Sequence, residues 1–118
     1  MKSIYLVEDN PEISELIGYL LTDLGHEVES DATVSSFRQR LANALPDLVI
    51  LDIMLCDGNG LDVCRELKSD PATQHIPVIL MSAHVNVREK ALEAAADDFI
   101  SKPFDINDFT KQVQRLFD

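Results

Sequence analysis

The sequence contains no tryptophan, only two cysteines and only four glycines. Cys56 and Cys64 do not form a CxxC pair, so the spacing typical of a zinc site is missing. We interpret both thiols as small, reduced packing residues. The turn after the first apolar run, residues 8–11, has no glycine. This argues against a nucleotide or flavin site, which uses glycines to bring the backbone close to a phosphate.

Long apolar runs and basic side chains are also scarce. No run approaches the roughly 20 apolar residues that a membrane helix needs, and the run near the start is too short for a signal peptide. We therefore expect a cytoplasmic protein without a membrane segment. Ten Lys and Arg against 21 Asp and Glu give a net charge of −11, which argues against direct nucleic-acid binding. The same charge fits a bound cation, a basic partner or simple solubility.

What is present is an alternation of strand-like and helix-like segments. Three continuous apolar runs are typical of buried parallel strands: residues 4–7, 48–51 and 78–81. Weaker strands are predicted at 27–30 and 98–100, and helices at 11–24, 33–44, 61–69, 87–96 and 106–117. Five such βα units predict a parallel sheet with right-handed crossovers and helices on both faces. We expect a single domain over residues 1–118, with no output domain.

The first predicted helix has the clearest signals. Asn10 can cap it, Pro11 suits its first position, and Gly25 can end it in the left-handed conformation. Six apolar residues recur at helical spacing and predict its buried face: Ile13, Leu16, Ile17, Leu20, Leu21 and Leu24. In the last helix the corresponding set is Ile106, Phe109, Val113, Leu116 and Phe117.

Charged and hydroxyl side chains come directly after the predicted strands. Glu8 and Asp9 follow the first strand, Asp52 the third, Ser82 the fourth and Lys102 the fifth. Open α/β sheets bind their ligands at this carboxyl edge. Three carboxylates there repel one another unless a cation compensates, and Mg²⁺ accepts both carboxylate and phosphate oxygens. A metal, an ammonium and a hydroxyl together suit phosphoryl transfer to a carboxylate nucleophile.

In this order, these motifs resemble the receiver domain of two-component response regulators, the chemotaxis regulators among them. The resemblance covers essentially the whole chain and rests on five segments: residues 8–9 (ED), 51–55 (LDIML), Gly60, 81–83 (MSA) and 97–104 (DDFISKPF). It implies a doubly wound α/β fold with a five-stranded parallel sheet of order 2-1-3-4-5, a flavodoxin-like (βα)5 sandwich. It also implies a signalling phosphoprotein and not an enzyme, with chemistry limited to its own phosphorylation and dephosphorylation.

The resemblance assigns roles to the charged residues. Asp52 would accept a phosphoryl group from a phosphohistidine on a sensor histidine kinase or a phosphotransfer protein. Asp9, Asp52 and the backbone carbonyl of Met54 would bind Mg²⁺ or Mn²⁺, and Glu8 would act through a metal-bound water. Lys102 would pair with Asp52 and then with the phosphoryl group. The bond from Lys102 to the following proline would be cis.

Ser82 and Phe99 would form the switch. Ser82 would bond a phosphoryl oxygen and move inward, and Phe99 would follow it. The surface of the fourth helix, the fifth strand and the fifth helix would then change toward a partner protein, an output domain or a second copy of the chain. Met54 and His84 occupy positions that tune dephosphorylation in this family.

Four positions depart from the family pattern. Cys56 stands where proline is usual, so the turn after Asp52 is less preset. Asn59 replaces a common aspartate, and Ala95 replaces a common glycine. Phe99 replaces a common tyrosine, so a hydroxyl contact used by some relatives is missing. None of these changes removes a charged group of the predicted site.

Two other functions fit part of the pattern. A phosphatase-type enzyme with an aspartate nucleophile needs a second acid two residues later, where Met54 stands. It also needs a cap domain, for which 118 residues leave no room. A degenerate receiver that only docks partners is the second alternative, and the complete set of acids, serine and lysine argues against it.

Overall fold

The apolar runs form the centre of a five-stranded sheet in a computed structural model, which describes residues 2–83 and 88–117 apart from the side chain of residue 88. The strands are β1 (Ser3–Val7), β2 (Glu27–Asp31), β3 (Leu48–Asp52), β4 (Val78–Ser82) and β5 (Asp98–Ser101). Their order, β2-β1-β3-β4-β5, confirms the predicted doubly wound sheet. All neighbouring pairs are parallel, so the five carboxyl ends lie at one edge.

Helices cover both faces of this sheet. They are α1 (Pro11–Asp23), α2 (Val34–Asn43), α3 (Gly60–Ser69), α4 (Arg88–Glu93) and α5 (Ile106–Phe117). Alternate strand residues point to opposite faces. Tyr5 and Val7 therefore join an apolar cluster with α2, α3 and α4, whereas Ile4 and Leu6 join a second cluster with α1 and α5. None of the described helices is long and apolar enough to cross a membrane.

The predicted cap of α1 is confirmed, but two residues of the predicted apolar faces are exposed. The Asn10 side chain accepts hydrogen bonds from the amides of the second and third helical residues at 2.9 and 3.2 Å. Leu16 is 41% exposed, because it lies about 100° around the helix from the fully buried Ile17. Ile106 is 47% exposed at the first position of α5, one turn before the buried Phe109.

Helix α4 is shorter than predicted at its carboxyl end, and residue 87 lies outside the described residues. Ala95 has a φ of +63° and stops the helix. The Ala95 amide donates to the Leu92 carbonyl and the Ala96 amide to the Ala91 carbonyl, at 3.0 and 3.1 Å. This pair of bonds is the Schellman arrangement, which requires a left-handed residue. Gly25 ends α1 in the same way, with a φ of +93°.

A short antiparallel hairpin that the sequence did not predict connects β3 to α3. Its strands are Met54–Leu55 and Gly58–Asn59, and residues 54–59 are called the β3–α3 hairpin below. Strands of two residues are too short to show an alternating pattern. Asn59 caps α3, because its side chain accepts a hydrogen bond from the Leu61 amide at 2.7 Å. The departure from aspartate at position 59 therefore keeps the cap. The interpretation of both cysteines as packing residues is wrong for Cys56, which is exposed in this hairpin, whereas Cys64 is buried.

Candidate functional site

The carboxyl edge of the sheet brings together the residues that the sequence singled out. Asp52 is the last residue of β3, Ser82 the last of β4, and Glu8 follows β1 directly. All three are buried, with exposed fractions of 6%, 1% and 2%. Asp9 is exposed beside them. Lys102 follows β5, and its amide donates to the Ser82 carbonyl at 2.8 Å.

The Lys102 ammonium bridges two of the carboxylates. Its Nζ donates to Asp52 Oδ2 at 3.0 Å and to Glu8 Oε1. The contact with Asp52 is the one that the resemblance implied, and the contact with Glu8 was not expected. Ninety-four residues separate Glu8 from Lys102, so no local pattern connects them. The predicted cis bond between Lys102 and Pro103 is confirmed.

Burial and crowding set the electrostatics of this cluster. Burial and, to a smaller extent, the neighbouring Asp52 raise the pKa of the Glu8 carboxyl to about 7, although Lys102 opposes the rise. Burial lowers the pKa of the Lys102 ammonium, but its bonds to Glu8 and Asp52 outweigh burial and raise that pKa overall. One ammonium faces three carboxylates, so the cluster favours the addition of a cation.

The spacing of the carboxylates fits a single divalent cation. Glu8, Asp9 and Asp52 each offer one oxygen, and these oxygens all lie within 4.8 Å of one another. Two oxygens bound to the same Mg²⁺ ion lie about 3.0 Å apart at adjacent positions and about 4.2 Å apart at opposite positions, so the carboxylates would draw closer together on binding one ion. Met54, whose carbonyl the resemblance implies as a metal ligand, begins the β3–α3 hairpin, and its amide donates to Asp52 Oδ1 at 3.4 Å.

Gly60 allows the backbone of α3 to approach the end of β3. A Cβ atom at this position would lie 2.3 Å from the Asp52 carbonyl oxygen and 2.8 Å from the Ile53 Cα. The Gly60 amide donates to the Ile53 carbonyl at 2.8 Å. Only glycine fits here, because both close neighbours are backbone atoms.

The two predicted switch residues lie on adjacent strands. Ser82 is paired in register with Ser101 of β5, and Phe99 lies two residues earlier on that strand. Phe99 is half-buried, packs against the cluster shared with α4, and its carbonyl accepts from Gln112 of α5 at 3.2 Å. It also lines an open groove of about 750 Å³ between α4 and α5. His84 lies outside the described residues.

Sequence reasoning missed two groups near this edge. Asp31, at the end of β2, is buried and accepts hydrogen bonds from Ser36 and Arg40 of α2 at 2.6 and 2.8 Å. Asp57, in the β3–α3 hairpin, accepts from the Val34 and Ser35 amides. Asp31 directly follows the strand predicted at 27–30, so the rule that selected Asp52 could also have selected it. Asp57 shows no local signal, because its partners lie 22 and 23 residues away.

The arrangement of acids, lysine and serine at the carboxyl edge agrees with a comparison against known families. A family model described as the response regulator receiver domain matches residues 4–114. The chain belongs to the response regulator receiver domain family. Receiver domains are signalling modules, and phosphorylation and Mg²⁺ binding are general properties of the family. The family assignment therefore argues against the phosphatase-type alternative.

Individual relatives of this receiver domain are longer proteins. The DNA-binding dual master transcriptional regulator RpaA of Synechocystis sp. is 31% identical, over 98% of this chain and 49% of its own length. The transcriptional regulatory protein GltR of Pseudomonas aeruginosa is 34% identical, over 98% of this chain and 48% of its own length. The receiver domain thus spans about half the length of these relatives.

A solved structure shares the fold closely. The signal receiver domain of a signal transduction histidine kinase from Syntrophus aciditrophicus superposes with a TM-score of 0.91. It is 33% identical, and the alignment covers 98% of this chain and 89% of that one. Receiver domains similar to this chain therefore occur both in transcriptional regulators and in a histidine kinase.

Proposed function

We propose that Asp52 is the phosphoacceptor of this receiver domain and takes its phosphoryl group from a histidine kinase or a phosphotransfer protein. The observation that carries the proposal is the position of Asp52. It ends the central strand β3, its Oδ2 lies 3.0 Å from the Lys102 ammonium, and two further carboxylates converge on it. Lys102, together with a cation held by the carboxylates, would balance the negative charge of the nucleophile and of the phosphoryl group.

In the proposed transfer, an Asp52 carboxylate oxygen attacks the phosphorus of a phosphohistidine. The new O–P bond forms as the N–P bond breaks, and the imidazole leaves with the bonding electron pair and takes up a proton. Asp9, Asp52 and the Met54 carbonyl would hold Mg²⁺ or Mn²⁺, with Glu8 acting through a bound water. The cation would supply positive charge to the phosphoryl oxygens. The Lys102 ammonium, which pairs with the Asp52 carboxylate before transfer, pairs with a phosphoryl oxygen after it.

Ser82 and Phe99 are proposed to transmit the phosphorylated state. Ser82 ends the strand beside Asp52, and this position supports a hydrogen bond from its hydroxyl to a phosphoryl oxygen. Phe99 lies on the next strand and contacts the cluster that includes α4. A shift of Ser82 toward the phosphoryl group would therefore change the packing beneath the α4–β5–α5 surface.

The α4–β5–α5 surface is the proposed output of the switch. It carries both signs of charge, with Asp97, Asp98 and Asp108 beside Lys111 and Arg115. A surface of mixed charge can pair with the same surface of a second copy about a two-fold axis, so a second copy of the chain is one proposed partner. A partner protein or an output domain is the other, as the lengths and names of the transcriptional regulators suggest. The cytoplasmic location and the absence of direct nucleic-acid binding by this domain stay predictions.

Intact-mass spectrometry with a small phosphodonor tests the acceptor. Wild type incubated with Mg²⁺ and acetyl phosphate should gain one phosphoryl group, and Asp52→Asn should gain none. Labelling that persists in Asp52→Asn would place the acceptor elsewhere. A folded wild type that is never labelled would favour the alternative, a degenerate receiver that only docks partners.

A further inference from the structure

Asp57 uses both of its carboxylate oxygens to join the β3–α3 hairpin to α2. Oδ1 accepts a hydrogen bond from the Val34 amide at 2.8 Å, and Oδ2 accepts one from the Ser35 amide at 3.1 Å. The first amides of a helix have no acceptor within the helix. Helix α2 also has a local cap, because Thr33 Oγ1 accepts from the Ser36 amide at 3.1 Å. Asp57 therefore connects two elements that are separate in the sequence.

Packing at the next residue holds the same two elements together. A Cβ atom on Gly58 would lie 3.0 Å from Val34 Cγ2, so the hairpin turn is in close contact with the first turn of α2. Val34 is buried, and Leu55 of the hairpin packs against the same apolar cluster. The hairpin is thus fixed at its turn by a carboxylate and by van der Waals contact.

The other end of the hairpin is fixed next to the phosphoacceptor. The Gly60 amide donates to the Ile53 carbonyl at 2.8 Å, and the Met54 amide donates to Asp52 Oδ1 at 3.4 Å. Met54 therefore lies between a base anchored on β3 and a turn anchored on α2. Cys56 does not fix its own φ as a proline would. The contact with α2 supplies the restraint that the backbone of this turn lacks.

We propose that Asp57 is a positioning residue that holds the Met54 carbonyl in place for a divalent cation by anchoring the β3–α3 hairpin to α2. This inference rests on the proposed function, in which that carbonyl is a metal ligand. Without the anchor, the hairpin samples other positions and the carbonyl is in place for a smaller fraction of the time. Cation affinity falls by that fraction.

Mg²⁺ titration of the protein, followed by amide NMR, tests this role without relying on phosphorylation. Asp57→Ala removes both acceptors and should raise the Mg²⁺ dissociation constant about tenfold, the lower end of the effect of groups that orient metal ligands. Asp57→Asn keeps one acceptor oxygen and should fall between Asp57→Ala and wild type. In wild type, saturating Mg²⁺ should slow exchange of the Val34 and Ser35 amides, because coupling between two sites is reciprocal.

Two control variants separate positioning from helix stability and from charge. Thr33→Ala removes the local cap of α2, and Asp62→Asn removes an exposed carboxylate on α3. Neither change removes a hydrogen bond between Asp57 and α2, so both should keep the Mg²⁺ affinity within about twofold of wild type. If Asp57→Ala binds Mg²⁺ as tightly as wild type, or if Thr33→Ala weakens binding equally, the inference is wrong. If wild type binds no Mg²⁺, the proposed metal site fails and this inference fails with it.

Discussion

Ala95 has a left-handed backbone conformation, so its replacement by glycine is expected to stabilise the protein. Its φ is +63°, in a region that costs an L-residue roughly 1–2 kcal/mol. The Ala95 side chain is exposed, so little packing is lost when its methyl group is removed. Glycine loses more backbone freedom on folding, which offsets roughly 0.5–1 kcal/mol of the gain. The net expectation for Ala95→Gly is a stabilisation of about 0.75 kcal/mol, the difference between the midpoints of these two ranges.

Gly25 provides the reciprocal change in the same motif. It ends α1 with a φ of +93°, and no atom beyond its two chain neighbours lies within 4 Å of a Cβ added there. Gly25→Ala therefore introduces backbone strain without a clash and should destabilise the protein by about 0.5–1 kcal/mol. The double variant should be close to wild type, because distant substitutions add.

Urea unfolding, monitored by circular dichroism, measures these changes. Ala44→Gly is the matched control, since Ala44 is exposed and has an ordinary extended φ of −160°. It should destabilise the protein by roughly 0.5–1 kcal/mol through the entropy of glycine alone. If Ala95→Gly destabilises the protein as much as Ala44→Gly does, the strain at the end of α4 is absent and the reasoning is refuted.

Two further predictions concern the edge of the sheet that carries the site. Gly60→Ala should destabilise the protein by about 2 kcal/mol or more, because its Cβ would lie 2.3 Å from the Asp52 carbonyl oxygen. Gly18→Ala, in open space on α1, should not, and equal effects in urea unfolding would contradict this reading. Burial raises the pKa of the Asp31 carboxyl, but its bonds to Arg40 and Ser36 outweigh burial and lower that pKa below 3.8. Its contribution is therefore complete above about pH 5 and is lost as the pH falls through the folded-state pKa, so the stability difference between wild type and Asp31→Asn should shrink in acid. A difference that is constant from pH 7 to about pH 3 would contradict the ion pair.

The sequence was sufficient to predict the order of elements and the composition of the candidate site. Apolar runs of strand length and helical spacing are local patterns, so the five strands and five helices could be located from neighbouring residues alone. The parallel topology then places the residues that follow each strand at one edge. For that reason the sequence alone groups Asp52, Ser82 and Lys102.

Contacts between distant residues required the tertiary structure. The Glu8 partner of Lys102, the anchor from Asp57 to α2 and the exposure of Leu16 depend on how the helices sit on the sheet. Sequence spacing contains no information on these distances, because each contact joins elements whose separation is set by packing. The left-handed Ala95 illustrates the same limit, since alanine has no preference for the conformation that the end of α4 imposes on it.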